Sequence, residues 1–149
     1  LKRIEINDDN YNQLLNTVID DLIIEKLKIG KIEEYGINID NVELKQHKKR
    51  FLSSLNYKMD ELEELFLIND VKYNYFNMFI EVDLKWQKLI YGLYLRVSSV
   101  TKQEINDLIS KNPNLNEDSA SDLILQRQLD LKSMKLIKDL RDEATIEYK

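Results

Sequence analysis

The chain is 149 residues long, 33% charged and 43% hydrophobic, with a formal net charge of −5 and a pI near 5.0. That length supports one sizeable core or two small ones, and an acidic balance with interleaved lysines offers no basic stripe to nucleic acid. Cysteine is absent, which excludes disulfides, zinc–thiolate sites and thiol catalysis; the three glycines and single proline point to long helices joined by few tight turns.

The amino-terminal residues Leu1–Ile6 are ambiguous. Ile4 and Ile6 alternate like a strand that could pair with Thr145–Lys149, or they are the tail of a helix; on so short an alternation the helix tail is preferred. The first residue is not methionine and no leader is visible, so the chain reads as processed or trimmed. Asn7 or Asp8 can cap a helix over 8–35, in which Tyr11, Leu14, Leu15, Val18, Leu22 and Leu27 follow the helical period. Gly36 stands where a left-handed C-cap belongs. Gly30, inside the helix, costs about 1 kcal/mol relative to alanine and is expected to mark close packing or a kink.

Asp40 and Glu43 form a capping box opening a helix over 41–55. His47 sits there among Lys45, Lys48, Lys49 and Arg50 and reads as an exposed surface histidine, with no serine or cysteine nucleophile at helical spacing. A short helix over 59–68 carries Leu62, Leu65 and Phe66 and breaks at Asn69-Asp70. The helix over 72–98 is the most apolar, with Phe76, Phe79, Ile80, Leu89, Ile90 and Leu93 forming a core stripe. Its wheel sends Tyr75, Trp86 and Tyr94 to the border of that stripe or beyond. Aromatics with a polar handle, beside the adaptable Met78, suit contact with varied apolar chains, so Tyr75, Met78, Trp86 and Tyr94 are the candidate binding residues.

Thr101 and Glu104 form a second capping box, for a short helix that ends before Pro113. Residues 112–119 are polar, turn-rich and without period, and read as a linker. The last helix runs over 119–143, after which Ile146 and Tyr148 alternate with polar residues as a short strand. The expected fold is mainly α with a short C-terminal β-strand, in one domain over 1–149: a helical region 1–111, the linker, and a returning segment 120–149.

No catalytic, cofactor-binding or metal site is expected. The glycines are isolated, so no phosphate loop exists. Asp20, Asp21 and Glu25 resemble half of a carboxylate metal cluster, but di-iron bundles need Glu-x-x-His motifs and the single histidine is in none, which leaves a solvated acidic face. No apolar run approaches the ~20 residues that span a membrane.

Several segments, taken in order, resemble the SurA-type periplasmic chaperone family. Leu15–Val42, with its leucine-rich helix, Gly36-Ile37 turn and acid-capped start at Asp40, is similar to that family's second helix and turn. Asn56–Leu62 resembles its short-helix opening, Lys72–Phe76 its long fourth helix, Val100–Ile105 the start that follows, and Leu140–Lys149 its carboxy-terminal ending. The match spans nearly the whole chain. Lys58 replaces the family's serine cap, Asn77 its arginine, the amino-terminal hairpin is absent or was cut away, and no parvulin domain fits between Thr101 and the last helix.

The resemblance implies a periplasmic holdase of a Gram-negative bacterium: a cradle of helices 8–35, 72–98 and 119–143 that holds unfolded outer-membrane proteins without prolyl isomerase activity or any cofactor. Two other readings stay open. One is the non-catalytic part of a peptidyl-prolyl isomerase whose parvulin domain is absent here. The other is a helical protein-interaction or dimerisation module, with a domain-swapped homodimer as one form.

Overall fold

The computed structural model of the chain describes residues 8–68 and 72–145. The readings for Leu1–Ile6, for the break at Asn69-Asp70 and for a strand over 146–149 lie outside the described residues. Six α-helices follow one another: α1 (Asp8–Glu34), α2 (Asn41–Ser54), α3 (Met59–Ile68), α4 (Tyr73–Tyr94), α5 (Lys102–Lys111) and α6 (Glu117–Glu143), with a 3-10 turn at Leu95–Val97 after α4. The protein is mainly α, and all regular structure among the described residues is helical.

Local chemistry sets the helix ends. The Asp40 carboxylate accepts from the amides of Val42 and Glu43, both at 2.8 Å, while Glu43 accepts from the Asp40 amide at 3.0 Å. Thr101 and Glu104 repeat the arrangement at α5. α1 ends in a Schellman turn: Gly36 takes φ +60 and the Ile37 amide returns to the Ile32 carbonyl at 3.2 Å. α2 ends the same way with Asn56 at φ 57, a residue type that tolerates this conformation better than most besides glycine. At α3, where lysine stands at the cap, the Glu61 carboxylate still satisfies the Lys58 amide at 2.9 Å.

Two helix boundaries and one glycine differ from the sequence reading. α4 ends at Tyr94, and the 3-10 turn Leu95–Val97 takes up the stretch read as its last turn. The Asn116 side chain accepts from the Ser119 amide at 2.8 Å and so starts α6 at Glu117, inside the segment read as linker; the connection is Asn112–Asn116. Gly30 is exposed and a Cβ there would meet nothing within 4 Å, so close packing is not what places glycine there.

α4 is the axis of the molecule. α1, α2 and α6 all pack on it, α1 and α6 touch each other, and α5 lies on α6. α2 runs antiparallel to α4, as its rungs show: Glu43 with Lys88, His47 with Asp83, Lys48 with Asn77. Phe51, Phe66, Tyr73 and Phe76 interlock at the α2–α3–α4 corner with ring centroids 5.6 to 6.1 Å apart, and the Lys48 ammonium lies 4.3 Å over Tyr73. The core proper joins Ile32 of α1, Trp86, Leu89 and Ile90 of α4 and Leu129 of α6. Each such side chain removed from water contributes about 1.5–3 kcal/mol. The cluster therefore ties both ends of the chain to one centre, and Arg141 adds an ion pair to Asp20 at 2.5 Å.

Candidate binding groove

α1 carries an apolar stripe too wide for one partner. Leu14, Ile19, Ile23 and Leu27 turn toward the bundle and are half-buried. Tyr11, Leu15, Val18 and Leu22, spaced four, three and four residues apart, remain 54%, 43%, 53% and 55% exposed. Residues at that spacing share one helix face, so the stripe is continuous. Its lower end enters an open groove of about 450 Å³ between α1 and α4. The apolar walls of the groove are Val18, Leu22 and Ile24 of α1 and Phe79 and Val82 of α4; Asp21, Glu25, Lys28 and Asp83 line it as well.

On α4 the groove face continues by helical spacing through Met78 and Tyr75, four residues before Val82 and Phe79 respectively, and both are exposed. Two rows of exposed apolar side chains thus converge on one concavity. Single exposed apolar residues are ordinary, but contiguous rows on facing helices mark an interaction surface.

The four residues chosen from sequence divide. Tyr75 and Met78 lie on the exposed face beside the groove. Trp86 does not: it is only 4% exposed and belongs to the core. The wheel assumed one buried stripe on α4, whereas three helices surround it and bury a second. The indole N–H donates to Ser133 Oγ of α6 at 2.8 Å, which satisfies its polar edge inside. Tyr94 is half-buried against the core, with the Lys132 ammonium 6.0 Å from its ring. Phe79 departs in the opposite sense; expected in the core, it stays half-exposed at the groove while its edge packs on Phe51 at 5.8 Å.

His47 is also corrected. It is buried, and its Nε2 donates to the Asp83 carboxylate at 2.7 Å, which also accepts from Gln87 at 2.9 Å. Its position between Leu44 and Phe51, three and four residues away, was the available signal: that spacing puts it on the apolar face of α2 despite its cationic neighbours. The pair braces α2 against α4 directly behind the groove.

A second, more polar cleft of about 540 Å³ opens between α4 and α6, with Trp86, Gln87 and Tyr91 facing Gln126, Asp130 and Ser133. Lys28 and Asp83 line both concavities, so the two meet where the Lys28 ammonium stands 5.7 Å from the Trp86 ring centroid.

No protein-family model matches the chain, and no curated protein matches it. Among the described residues no three histidines, cysteines or acids converge to hold a metal ion, and no helix is long and apolar enough to cross a membrane.

Two glutamates at helix starts have lowered pKa values. The Asp40 amide, then the Lys88 ammonium, hold Glu43 below the usual glutamate range. The Thr101 amide and hydroxyl do the same for Glu104. These shifts belong to capping and to the α2–α4 contact rather than to a reaction centre.

Proposed function

We propose that this chain binds unfolded polypeptide through the α1–α4 groove and acts as a holdase, shielding apolar segments without chemistry on them. The observation that carries this reading is the convergence of two exposed apolar rows, Tyr11–Leu22 and Tyr75–Phe79, on one open concavity. Such a surface offers many weak apolar contacts and few directional ones. It therefore accepts varied sequences and lets them go. Covering apolar segments suppresses the intermolecular contacts through which unfolded chains aggregate.

The ordered resemblance to the SurA-type family supports a finer form of the proposal: a periplasmic chaperone for unfolded outer-membrane proteins, with no isomerase activity of its own. The mutual packing of α1, α4 and α6 is the arrangement such a cradle requires. The test is light scattering by urea-unfolded porin diluted in the presence of the protein. The reading expects aggregation to fall as the protein approaches and exceeds equimolar amounts, and no suppression at excess would overturn it.

A second reading, a module for one defined helical partner, draws on the four–three–four spacing of Tyr11, Leu15, Val18 and Leu22, which is the spacing of a helix-pairing seam. A single stoichiometric partner, with no affinity for unfolded porin, would favour it.

A further inference from the structure

The walls of the groove are acidic as well as apolar. Asp21 and Glu25 of α1 and Asp83 of α4 line it, whereas the neighbouring acids Asp20 and Glu81 are already paired, with Arg141 and Lys85. Of the side chains lining the two connected concavities, Lys28 is the one cation among the described residues, set against Asp21, Glu25, Asp83 and Asp130. Asp83 is engaged by His47 and Gln87. Asp21 and Glu25 form no ion pair among the described residues. They flank Leu22 on the groove side of α1, one before it and three after.

We infer that the groove selects cationic amphipathic segments, in which lysine or arginine lies beside the apolar residues that enter between Leu22 and Phe79. The inference rests on the polypeptide-binding reading above and names the class of segment bound. Apolar side chains of the partner cover Val18, Leu22, Phe79 and Val82, while its cations meet Asp21 and Glu25 at the rim. Charge pairing of this kind adds selectivity and a faster encounter more than raw affinity. A second copy of the chain is disfavoured as occupant, because it would bring the same acids face to face.

The experiment uses the full chain and three labelled synthetic peptides of about 18 residues that share one leucine spacing and differ only in the polar residue: lysine, glutamine or glutamate. Anisotropy titrations at low salt should find the lysine peptide bound about tenfold more tightly than the glutamine peptide, and the glutamate peptide weakest of all. Raising the salt to about 0.5 M should shrink the lysine advantage to about twofold. Asp21→Asn with Glu25→Gln should shrink it at low salt, whereas Glu63→Gln with Glu64→Gln, a control pair on exposed α3 positions, should leave it intact. Equal binding of the lysine and glutamine peptides overturns the inference and leaves polypeptide binding standing. Equal loss in both paired variants also overturns it, since net charge would then explain the preference. Failure of every peptide to bind overturns the parent reading together with the inference.

Discussion

Replacing Trp86 by phenylalanine separates a core role from a surface one. The ring is 4% exposed and its N–H is bonded to Ser133. A buried indole covers about 50 Å² more than a phenyl ring, within the aromatic range of ~150–250 Å², worth about 1.2 kcal/mol at ~25 cal/mol/Å². The lost hydrogen bond adds about 1 kcal/mol. Trp86→Phe should therefore destabilise the fold by about 2 kcal/mol, seen in urea denaturation followed by far-ultraviolet circular dichroism. In thermal melts that corresponds to a drop of about 4–8 °C for a chain of this size. Ser133→Ala should cost about 1–2 kcal/mol by stranding the indole N–H, and the two substitutions together should cost less than the sum of each alone, by about 1 kcal/mol. A Trp86→Phe protein within about 0.5 kcal/mol of the parent would refute the reasoning: the ring would then stand at the surface, where the sequence reading put it.

Three other outcomes follow from the same geometry. His47→Ala should destabilise by about 2 kcal/mol in the same assay, because it opens the α2–α4 contact and deprives Asp83 of a partner. Gly36→Ala should cost about 1–2 kcal/mol from the positive φ alone, since the added methyl meets nothing within 4 Å. Glu43 and Glu104 are held below the ordinary glutamate value of 4.5. Their contribution is thus complete above that value and is lost as pH falls through their folded-state values. Glu43→Gln with Glu104→Gln should flatten this part of the acid limb in a stability-versus-pH series, and an unchanged slope would contradict the capping account.

The local features were legible in the sequence because they depend on residues three or four apart. Both capping boxes, the Gly36 turn, and the bounds of α1, α2 and α3 to within a residue or so follow from such spacings. What stayed hidden depends on distant partners. For His47 the spacing to Leu44 and Phe51 marked the buried face, and only its partner Asp83, 36 positions on, was hidden; for Trp86 the partner Ser133 lies 47 positions on and carries no local signal. The exposure of Tyr11, Leu15, Val18 and Leu22 was hidden for the opposite reason. Their period is that of a buried stripe, and among the described residues no helix covers its outer half. Of the candidate site, Tyr75 and Met78 were reachable from the wheel of α4. The α1 wall of the groove was visible only as a stripe wider than one contact needs.

The most direct test is the affinity of a labelled, urea-unfolded porin fragment for the parent chain and for Val18→Ser with Leu22→Ser. Both residues are more than half exposed, at 53% and 55%, so the substitutions should leave the melting temperature within a few degrees of the parent. Anisotropy titration should show the parent binding the fragment and the double variant binding it about tenfold more weakly. Equal affinity of a folded double variant would show that the groove between α1 and α4 is not where polypeptide is held.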